Sequence, residues 1–446
     1  MLDVRAIRDQ FPITHRRLHV LGTRVPRPLI YLDNAASTHP PSLVLDAHRT
    51  LLEHSYANTH RGKHRLSRAI TRQFERVRKD ICRFISASSD ASTTILVGNT
   101  TQALDLAAHV LANVEGVTLV SLMEHHSNDL PHRARARVAH FGVLADGTLD
   151  YDELERKLSQ EQVKLVAVTG ASNVTGYLPD IHRIARIAHA HGARILVDAA
   201  QLLAHVRIDV RPEGDPGHLD FLAAAGHKAY APFGSAFLHA PRGLCDAAPP
   251  YLPGGGTVAW VTKDDVHYKE SPERHEGGTP SIAGAIALGA SLRFLEEVGL
   301  DAIREHERAL TMQLLEGLRA LEHVKVLGHL DAGRRIGVVS FTVEGLPHEI
   351  AASVLDREAA IAVRNGCFCA HPYVHQLLGL EDTSEFQRRL EAGEETALPG
   401  AIRASVGIYN TEQEVDTLLK MVRSLRGRGT LEGLTQFETR SSIKRS

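Results

Sequence analysis

The sequence has little cysteine and no long apolar run. The four cysteines in 446 residues are Cys82, Cys245, Cys367 and Cys369. So few thiols exclude the disulfide framework of small secreted proteins, and a reducing compartment would keep all four as free thiols. The N-terminal stretch shows no signal-peptide pattern, and no apolar run approaches the roughly 20 residues that a membrane-spanning helix needs. We therefore expect a cytoplasmic protein that does not act in a membrane.

The sequence also lacks a charge excess and several common motifs. Lysine and arginine number 51 against 53 aspartates and glutamates, and the formal net charge of -2 gives no reason to expect nucleic acid as a partner. The 27 histidines are dispersed, and without HExxH or paired CxxC spacing no metal site is predicted. No GxGxxG follows an early strand, which argues against a nicotinamide-binding Rossmann protein. An ordinary composition remains, 43% hydrophobic and 23% charged, in a chain long enough for two domains.

Short apolar runs alternate with amphipathic segments through the first half of the chain. Runs such as "KLVAVTG" (164–170) and "ARILVDA" (193–199) are rich in Val, Leu and Ile, as is typical of strands covered on both faces. Between them, "DIHRIARIAHAHG" (180–192) has helical periodicity and ends in a glycine suited to a helix C-cap. This alternation predicts an α/β fold with a mostly parallel, doubly wound sheet.

The pattern changes in the last third of the chain, where "RIGVVSFTV" (335–343) and "IAVRNG" (361–366) are followed by a helical stretch near 411–425. We predict a large α/β domain over residues 31–296 and a smaller α+β domain over residues 297–446. The N-terminal arm, residues 1–30, is expected to complete the smaller domain. The polar tail beyond Gly427 is expected to fray.

Two strand ends carry residues that together suggest a cofactor. In open α/β sheets ligands bind beyond the carboxyl ends of the strands. Asp198 and Gln201 lie at one such end, in "ILVDAAQ", and Lys228 lies at another, in "LAAAGHKAYAP". A lysine there is usually solvated, but a pyridoxal phosphate enzyme needs both a lysine that binds the cofactor covalently and a carboxylate that keeps the pyridine nitrogen protonated. Lys228 and Asp198 fit these two roles.

A phosphate site is predicted in "TTILVGNTTQALDLAAHVL" (93–111), which has the pattern of strand, polar turn and helix. The helix N-terminus and the hydroxyls of Thr100 and Thr101 would suit a phosphate group. Plain N-capping by a threonine explains the same pattern equally well. Beyond the next strand, His125 in "SLMEHHSN" could stack on a cofactor ring, whereas we interpret His126 as structural.

A series of motifs, in order along the chain, carries a family resemblance. The segment from about residue 5 to 425 resembles the cysteine desulfurase branch of the class V aminotransferase family, most closely its iron–sulfur-assembly and selenocysteine lyase subgroup. "GCFC" also resembles molybdenum cofactor sulfurases. The motifs are "YLDNAAST", "HRGKHRLSR", "MEHHSN", "SNVTG", "VDAAQ", "GHKAYAP", "EGGTPS", "VRNGCFCA" and "IRASVGIYNT". The resemblance implies the fold type I architecture, pyridoxal phosphate on Lys228, and a homodimer with active sites at the subunit interface.

The resemblance also implies a role for each candidate residue. Asp198 would pair with the ring nitrogen, and Gln201, with Asn173 nearby, would bind the phenolic oxygen of the cofactor. His125 would stack on the ring. The phosphate contacts would be Thr100, Thr101, His227 and, from the other subunit, Thr279. Arg403 would clamp the substrate carboxylate as a planar bidentate donor, and the pocket would be lined by Asn34 and Arg364.

The paired cysteines in "VRNGCFCAHP" (363–372) take different roles under this resemblance. In the family pattern R-x-G-x-x-C the sixth residue reacts, which is Cys369. Its thiolate would take the sulfur of L-cysteine, or of a related sulfur amino acid, as a persulfide and release L-alanine. A protein acceptor could then receive the sulfur. For Cys367, packing and an occasional resolving role are both open, and a metal site has too few ligands nearby, with His371 alone in "CAHP".

The sequence departs from the family pattern at three places. Ala225 stands where the desulfurases usually have a serine, so one phosphate hydroxyl is missing. Gly98 replaces a bulkier residue at the start of the phosphate turn. The stretch 370–402 is longer than in the cluster-assembly enzymes and suggests an extra charged helix. This insertion could gate the substrate or change the surface on which a sulfur acceptor docks.

Two alternative functions remain open from the residues alone. The first is another class V enzyme, such as a C–S lyase, a racemase or epimerase, or an aminotransferase, in which Cys369 is not the nucleophile. The second is a non-catalytic regulatory partner, although a silent chain has no physical need for Lys228 together with Asp198, Gln201 and Arg403. The choice between cysteine and selenocysteine is open as well.

Overall fold

The computed structural model describes residues 2–88, 90–380, 382–394 and 398–427. The polar tail that was expected to fray, beyond Gly427, lies outside the described residues. None of the described helices is both long enough and apolar enough to cross a membrane.

The helices and strands of the described residues are numbered in chain order. The α-helices are α1 (Val4–Arg8), α2 (Ser42–Thr50), α3 (Arg65–Phe84), α4 (Thr100–Val110), α5 (Leu130–Arg135), α6 (Tyr151–Gln160), α7 (Ile181–Ala190), α8 (Arg242–Ala247), α9 (Ile282–Val298), α10 (Leu300–Arg319), α11 (His348–Ala359), α12 (His371–Leu378), α13 (Ser384–Glu391) and α14 (Glu412–Arg423). The β-strands are β1 (Arg17–Leu18), β2 (Arg27–Pro28), β3 (Ile30–Tyr31), β4 (Ser92–Val97), β5 (Val117–Ser121), β6 (Val138–Phe141), β7 (Val163–Thr169), β8 (Arg194–Asp198), β9 (Phe221–Ala225), β10 (Ala236–Pro241), β11 (Val258–Val261), β12 (Val266–Tyr268), β13 (Val324–Val326), β14 (Val338–Val343), β15 (Ile361–Ala362), β16 (Arg364–Gly366) and β17 (Ala401–Ser405).

The large sheet has seven strands in the order β4-β10-β9-β8-β7-β5-β6. Only β10 runs antiparallel to its neighbours, and the other pairs are parallel. The prediction of a mostly parallel α/β sheet is confirmed. No sequence pattern predicted β6, because this half-exposed edge strand of four residues is too short to show a clear periodicity.

Helices cover both faces of this sheet, as the apolar runs predicted. Every residue of β7 is buried, and its side chains alternate between two cores. Leu165 and Ala167 pack with residues of α4, whereas Val166 and Val168 pack with residues of α7. Successive side chains of a strand point to opposite faces, so burial on both faces explains why the sequence of β7 is almost uninterruptedly apolar.

The smaller sheet has the order β13-β14-β17-β16, with all pairs antiparallel. It has its own core, in which Leu314 of α10, Val354 of α11 and Leu418 of α14 pack together with strand residues. The short strand β3 pairs in parallel with β15, so the segment after the N-terminal arm is attached to this part of the chain. The bounds of the two domains, 31–296 and 297–446, stay predictions.

Candidate active site

A cavity of about 250 Å³ lies beyond the carboxyl ends of the parallel strands. The segments that follow β4, β5, β7, β8 and β9 line one part of it. The segment after β3, the strands β16 and β17, and the loop after β16 line the rest. The cavity therefore joins the large sheet to the smaller one. Every predicted site residue lines it except Asn34 and Thr279.

Lys228 and Asp198 meet in this cavity because Asp198 ends β8 and Lys228 lies in the turn after the neighbouring strand β9. Burial lowers the pKa of the Lys228 ammonium. The charge of the Asp198 carboxylate raises this pKa, and the charge of Arg403 lowers it. Burial also raises the pKa of Asp198, which accepts a hydrogen bond from the backbone N–H of Ala200 at 2.9 Å. Burial thus favours the neutral form of each group, the form in which a lysine can act as a nucleophile or base.

The N-terminus of α4 supplies the polar end of the cavity. Asn99, not a threonine, caps this helix, since its side chain accepts from the backbone N–H of Gln102 at 2.9 Å. The hydroxyl of Thr100 is buried without a hydrogen-bond partner among the described residues, and that of Thr101 lies 2.7 Å from the hydroxyl of Ser127. The capping explanation of the threonines is therefore wrong, and both hydroxyls are available at a helix end that favours anions.

Both histidines that line the cavity are held neutral. Burial lowers the pKa of His125 to about 3, with the charges of Lys228, His126 and Arg403 adding to the effect. Burial, followed by the charge of Lys228, lowers the pKa of His227 to about 4. The His125 Nδ1 accepts a hydrogen bond from the backbone N–H of Ser127 at 3.1 Å. A neutral imidazole with a fixed orientation suits stacking against an aromatic ring.

The side-chain amides of Gln201 and Asn173 are partly engaged within the protein. Gln201 donates through Nε2 to the carbonyl oxygen of Ala35 at 2.6 Å, and its Oε1 is buried without a partner among the described residues. Asn173 donates through Nδ2 to the carbonyl oxygen of Phe368 at 2.7 Å. Gln201 therefore keeps an unpaired polar atom for a ligand, whereas the amide donor of Asn173 holds the cysteine loop.

Arg403 is a buried cationic group of the cavity. Its side chain is only 3% exposed, donates to the carbonyl oxygen of Asn173 at 2.9 Å and stacks on the ring of Phe368 with 4.8 Å to the centroid. Asp33 accepts from its NH2 at 3.1 Å, and Arg403 Nε is buried without a partner among the described residues. A free, buried N–H on a fixed guanidinium is suited to a carboxylate ligand.

Cys369 lies at the mouth of the cavity and is exposed. The loop that carries it is tightly folded, with positive φ angles at Phe368 (53°) and Cys369 (55°), a region that costs free energy for residues with a side chain. The backbone N–H of His126 donates to the carbonyl oxygen of Cys369 at 2.7 Å, and the N–H of His371 donates to the His126 ring at 3.3 Å. His126 therefore does have the structural role that the sequence suggested.

Cys367 has a different environment from Cys369. It is buried, and its thiol donates to the carbonyl oxygen of Pro399 at 2.8 Å. Burial, with a smaller contribution from Cys369, raises the pKa of Cys367 to about 11. Since the thiolate is the reactive form, these contacts favour the packing role of Cys367 over a resolving one.

Asn34 and Thr279 lie outside this cavity. The Asn34 side chain is buried, donates to the carbonyl oxygen of Ser405 at 2.8 Å and accepts from the hydroxyl of Tyr409. It holds the segment that contains the cavity-lining Ala35 against β17. Thr279 lines a separate cavity of about 200 Å³, so its predicted contact with the other subunit's phosphate stays a prediction.

Sequence reasoning missed Asp33 and Glu124, although each adjoins a residue that it named. Glu124 is buried, and its carboxylate accepts from Asn128 Nδ2 at 2.7 Å, from the backbone N–H of Thr169 at 2.8 Å, and from the hydroxyl of Ser121. Burial outweighs these donors and raises the pKa of Glu124 to about 8. The sequence contained a signal for Glu124, since "SLMEHHSN" places a carboxylate directly after an apolar strand. A carboxylate buried at such a position needs hydrogen-bond partners.

The departures from the family pattern lie around the site. Ala225 is fully buried at the end of β9, and the hydroxyl of Ser127 lines the cavity beside Thr101. The predicted charged helix within 370–402 is α13, which has no buried residue; residues 381 and 395–397 of this stretch lie outside the described residues. Its predicted effects on substrate entry and acceptor docking stay predictions.

The comparisons with known proteins agree with this geometry. The model of the aminotransferase class-V family matches residues 30–418. A probable cysteine desulfurase of Halalkalibacterium halodurans is 36% identical over 429 residues, covering 94% of this chain and 97% of that protein. The solved apo structure of a cysteine desulfurase from Thermococcus onnurineus NA1 has a TM-score of 0.83 and 33% identity, covering 95% of this chain and 98% of that one. The solved structure of the cysteine desulfurase CsdA from Escherichia coli has a TM-score of 0.80 and 26% identity, and it likewise covers 95% of this chain and 98% of that one.

The fold and the site together define an α/β enzyme with the architecture of the fold type I pyridoxal phosphate enzymes. More particularly, the chain belongs to the class V aminotransferase family, in the branch that contains these cysteine desulfurases. The family resemblance predicted from the motifs is confirmed.

Proposed function

We propose that this protein is a pyridoxal phosphate-dependent cysteine desulfurase that forms a persulfide on Cys369 and releases L-alanine from L-cysteine. One observation carries the proposal: the exposed Cys369, the half-buried Lys228 and the buried Arg403 line the same cavity. A nucleophile, an amine and a carboxylate-binding group are the three groups that this reaction needs within reach of one substrate molecule.

The residues present fit pyridoxal phosphate. The phosphate would lie at the N-terminus of α4, near the hydroxyls of Thr100, Thr101 and Ser127, of which the Thr100 hydroxyl has no hydrogen-bond partner within the described part of the chain. Lys228 would bind the cofactor covalently, Asp198 would accept from the protonated ring nitrogen, and His125 would stack on the ring. When bound, the cofactor supplies the electron sink that stabilises negative charge at the substrate carbons.

Arg403 and Lys228 would prepare the substrate. The Arg403 guanidinium would bind the α-carboxylate and fix the orientation of the amino acid. Its N–H groups include Nε, which has no partner in the part of the chain that the structure describes. The Lys228 Nζ would take the α-proton and later return it, and the lowered pKa caused by burial increases the fraction of the amine that is free to do so.

Cys369 would carry out the sulfur transfer. Its thiolate would attack the substrate sulfur, so that a sulfur–sulfur bond forms while the carbon–sulfur bond breaks and its electron pair stays with the substrate carbon. Protonation of that carbon completes L-alanine, and the persulfide remains on an exposed loop from which a protein acceptor could take it.

We further propose that the protein forms a homodimer, in which Thr279 contributes to the other subunit's site, and that it is located in the cytoplasm.

The test compares the wild type with Cys369→Ala and with Cys367→Ala as a matched control. Each protein is incubated with L-cysteine and a reducing thiol, and alanine, pyruvate and sulfide are assayed together. We expect alanine and sulfide from the wild type and from the control, and a loss of both in Cys369→Ala. Pyruvate from all three would instead identify a β-eliminating C–S lyase, and no turnover of cysteine would remove the desulfurase proposal.

A further inference from the structure

Two hydroxyls from different parts of the chain meet at the polar end of the cavity. The hydroxyl of Thr101, in the first turn of α4, lies 2.7 Å from the hydroxyl of Ser127, in the turn after β5. Both residues line the cavity. Among the described residues, neither hydroxyl has another hydrogen-bond partner. The two hydroxyls therefore form an isolated pair whose remaining hydrogen-bonding capacity is open to a ligand.

A pair of this kind keeps one donor for that ligand. Each hydroxyl has one O–H donor and two acceptor positions, so one hydroxyl donates to the other and the second O–H stays free. The oxygen that accepts a proton also becomes a stronger donor itself, because hydrogen bonds in a chain polarise one another. The pair lies at a helix N-terminus, where the helix dipole favours negative charge. Its free O–H is therefore suited to an anionic oxygen.

The neighbouring Thr100 gives independent support for an anionic ligand at this helix end. It is only 8% exposed, and its hydroxyl has no hydrogen-bond partner in the part of the chain that the structure describes, although the residue lines the cavity. A buried hydroxyl without a partner costs free energy. An oxygen of a bound ligand would remove this cost.

Ala225 shows why a hydroxyl from another segment matters here. Successive side chains of a strand point to opposite faces, and Phe221 and Ala223 of β9 pack with residues of α4. Ala225, at the end of β9, lies on the same face of the sheet. A serine at this position, as in the family pattern, would place its hydroxyl on the side that α4 covers. This chain lacks that hydroxyl and has the hydroxyl of Ser127 at the N-terminus of α4 instead.

We propose that Ser127 replaces the missing serine: its hydroxyl, coupled to that of Thr101, binds the phosphate of the cofactor. This inference rests on the proposed function only in placing pyridoxal phosphate in this cavity. The role belongs to the side chain of Ser127, because its backbone N–H, and not its hydroxyl, donates to His125. Removing the hydroxyl should therefore weaken the binding of the phosphate and leave the orientation of His125 unchanged.

The experiment compares pyridoxal phosphate with pyridoxal, which has the same ring and aldehyde but a hydroxyl in place of the phosphate. Their dissociation constants are measured by fluorescence titration of the cofactor-free protein, and the phosphorus NMR signal of the bound cofactor is a second readout. In Ser127→Ala, the constant for pyridoxal phosphate should rise about tenfold, the size expected for one charge-assisted hydrogen bond. The constant for pyridoxal should not change, and the phosphorus signal should shift.

Three further variants separate the hydroxyl from other effects. Ser127→Thr keeps the hydroxyl and should bind pyridoxal phosphate with close to wild-type affinity. Ala225→Ser, added to Ser127→Ala, supplies a hydroxyl from β9 and should restore most of the lost affinity. Ser159→Ala is the matched control, because Ser159 is exposed, lies outside the cavity and donates to the carbonyl oxygen of Glu155 at 2.9 Å. It should leave both constants unchanged.

Several results would overturn the inference. An unchanged constant for pyridoxal phosphate in Ser127→Ala would do so, and so would an equal weakening of both ligands, which a purely structural role of Ser127 predicts. Failure of Ser127→Thr to keep the affinity would exclude the hydroxyl as the cause, even if Ala225→Ser did not fold. A folded Ala225→Ser variant without restored affinity would contradict the replacement of the serine.

Failure of the proposed function gives different results. Equal binding of pyridoxal phosphate and pyridoxal by the wild type would show that the cavity holds no phosphate, and the proposed cofactor site would fail together with the inference. If cysteine is not desulfurated but the two constants change as expected, the proposed function fails while the role of Ser127 stands.

Discussion

The side-chain Nδ2 of Asn173 donates to the carbonyl oxygen of Phe368 at 2.7 Å. Asn173 follows β7 of the large sheet, whereas Phe368 precedes Cys369 in a loop that follows β16 of the smaller sheet. This hydrogen bond therefore connects a strand end of the large sheet to the strained turn that carries the exposed thiol, as does the one from the backbone N–H of His126 to the carbonyl oxygen of Cys369.

Removing this hydrogen bond should loosen the Cys369 loop. For Asn173→Ala we expect alanine formation to fall about tenfold to a hundredfold, because a small displacement of a reacting group has an effect of this size. The alkylation of Cys369 by iodoacetamide should become faster, as measured by mass spectrometry. Asn113→Ala, at an exposed position, is the control, and equal alkylation rates in Asn173→Ala and the wild type would contradict the prediction.

The Thr100 hydroxyl should matter for the cofactor and not for the stability of the empty protein. It is buried without a hydrogen-bond partner among the described residues, so Thr100→Val should leave the cofactor-free protein equally stable or more stable. The dissociation constant for pyridoxal phosphate should rise about tenfold, the size expected for one charge-assisted hydrogen bond. Fluorescence titration of the cofactor-free protein measures the constant, with Thr417→Val, at a half-exposed position outside the cavity, as the control. Unchanged cofactor affinity would place the phosphate elsewhere.

The two neighbouring cysteines should differ sharply in reactivity. Cys369 is exposed, whereas burial raises the pKa of Cys367 to about 11, so at pH 8 iodoacetamide should label Cys369 long before Cys367 in the folded protein. Peptide mass spectrometry after short exposure checks this. Early labelling of Cys367 would favour its resolving role instead.

The buried thiol of Cys367 should also stabilise the fold. Cys367→Ala should lower the free energy of unfolding by about 1 kcal/mol through the lost hydrogen bond to Pro399. Cys367→Ser keeps a donor and should recover part of this loss.

Because of Glu124, the free energy of unfolding should decrease as the pH rises from about 4.5 to about 8. Burial raises its pKa in the folded protein from 4.5 to about 8. The folded state therefore keeps a proton that the unfolded chain has already lost in this range, and the stability that this proton provides disappears as the pH approaches 8. Glu124→Gln is uncharged at every pH and should remove this loss, on the order of 3 kcal/mol between pH 5 and pH 8.

The variant should fold, because the new amide could donate to Asn128 Oδ1, which is buried without a partner among the described residues. Denaturant unfolding of the wild type and Glu124→Gln at pH 5, 6.5 and 8 measures the effect. Asp129→Asn is the comparison, since the pKa of Asp129 is lowered by its hydrogen bonds to His140 and Arg133 despite the opposing effect of burial. Parallel pH profiles for the wild type and Glu124→Gln would show that Glu124 does not titrate in this range.

The central strands and their site residues were predictable from sequence because local pattern and global position agree there. A strand buried on both faces must be apolar throughout, so β7 and β8 were readable, and the polar residues that interrupt such runs at their ends, Asp198 and Lys228, had to lie at the ligand-binding edge of the sheet. The edge strand β6 lacks this constraint. The run "IAVRNG" likewise gave no sign that it would divide into β15, which pairs with β3, and β16, which pairs with β17.

The sequence by itself therefore determined the α/β class, the lysine and aspartate at the sheet edge, and the family to which the chain belongs. Only the tertiary structure decided which atoms are free. Asn99 takes the helix cap and leaves the threonine hydroxyls open, and Pro399 engages the Cys367 thiol while Cys369 stays exposed. Asp33 reaches Arg403 across 370 positions of sequence. Hydrogen bonds and ion pairs between distant segments depend on how the two sheets pack together, and local sequence patterns contain no information about that packing.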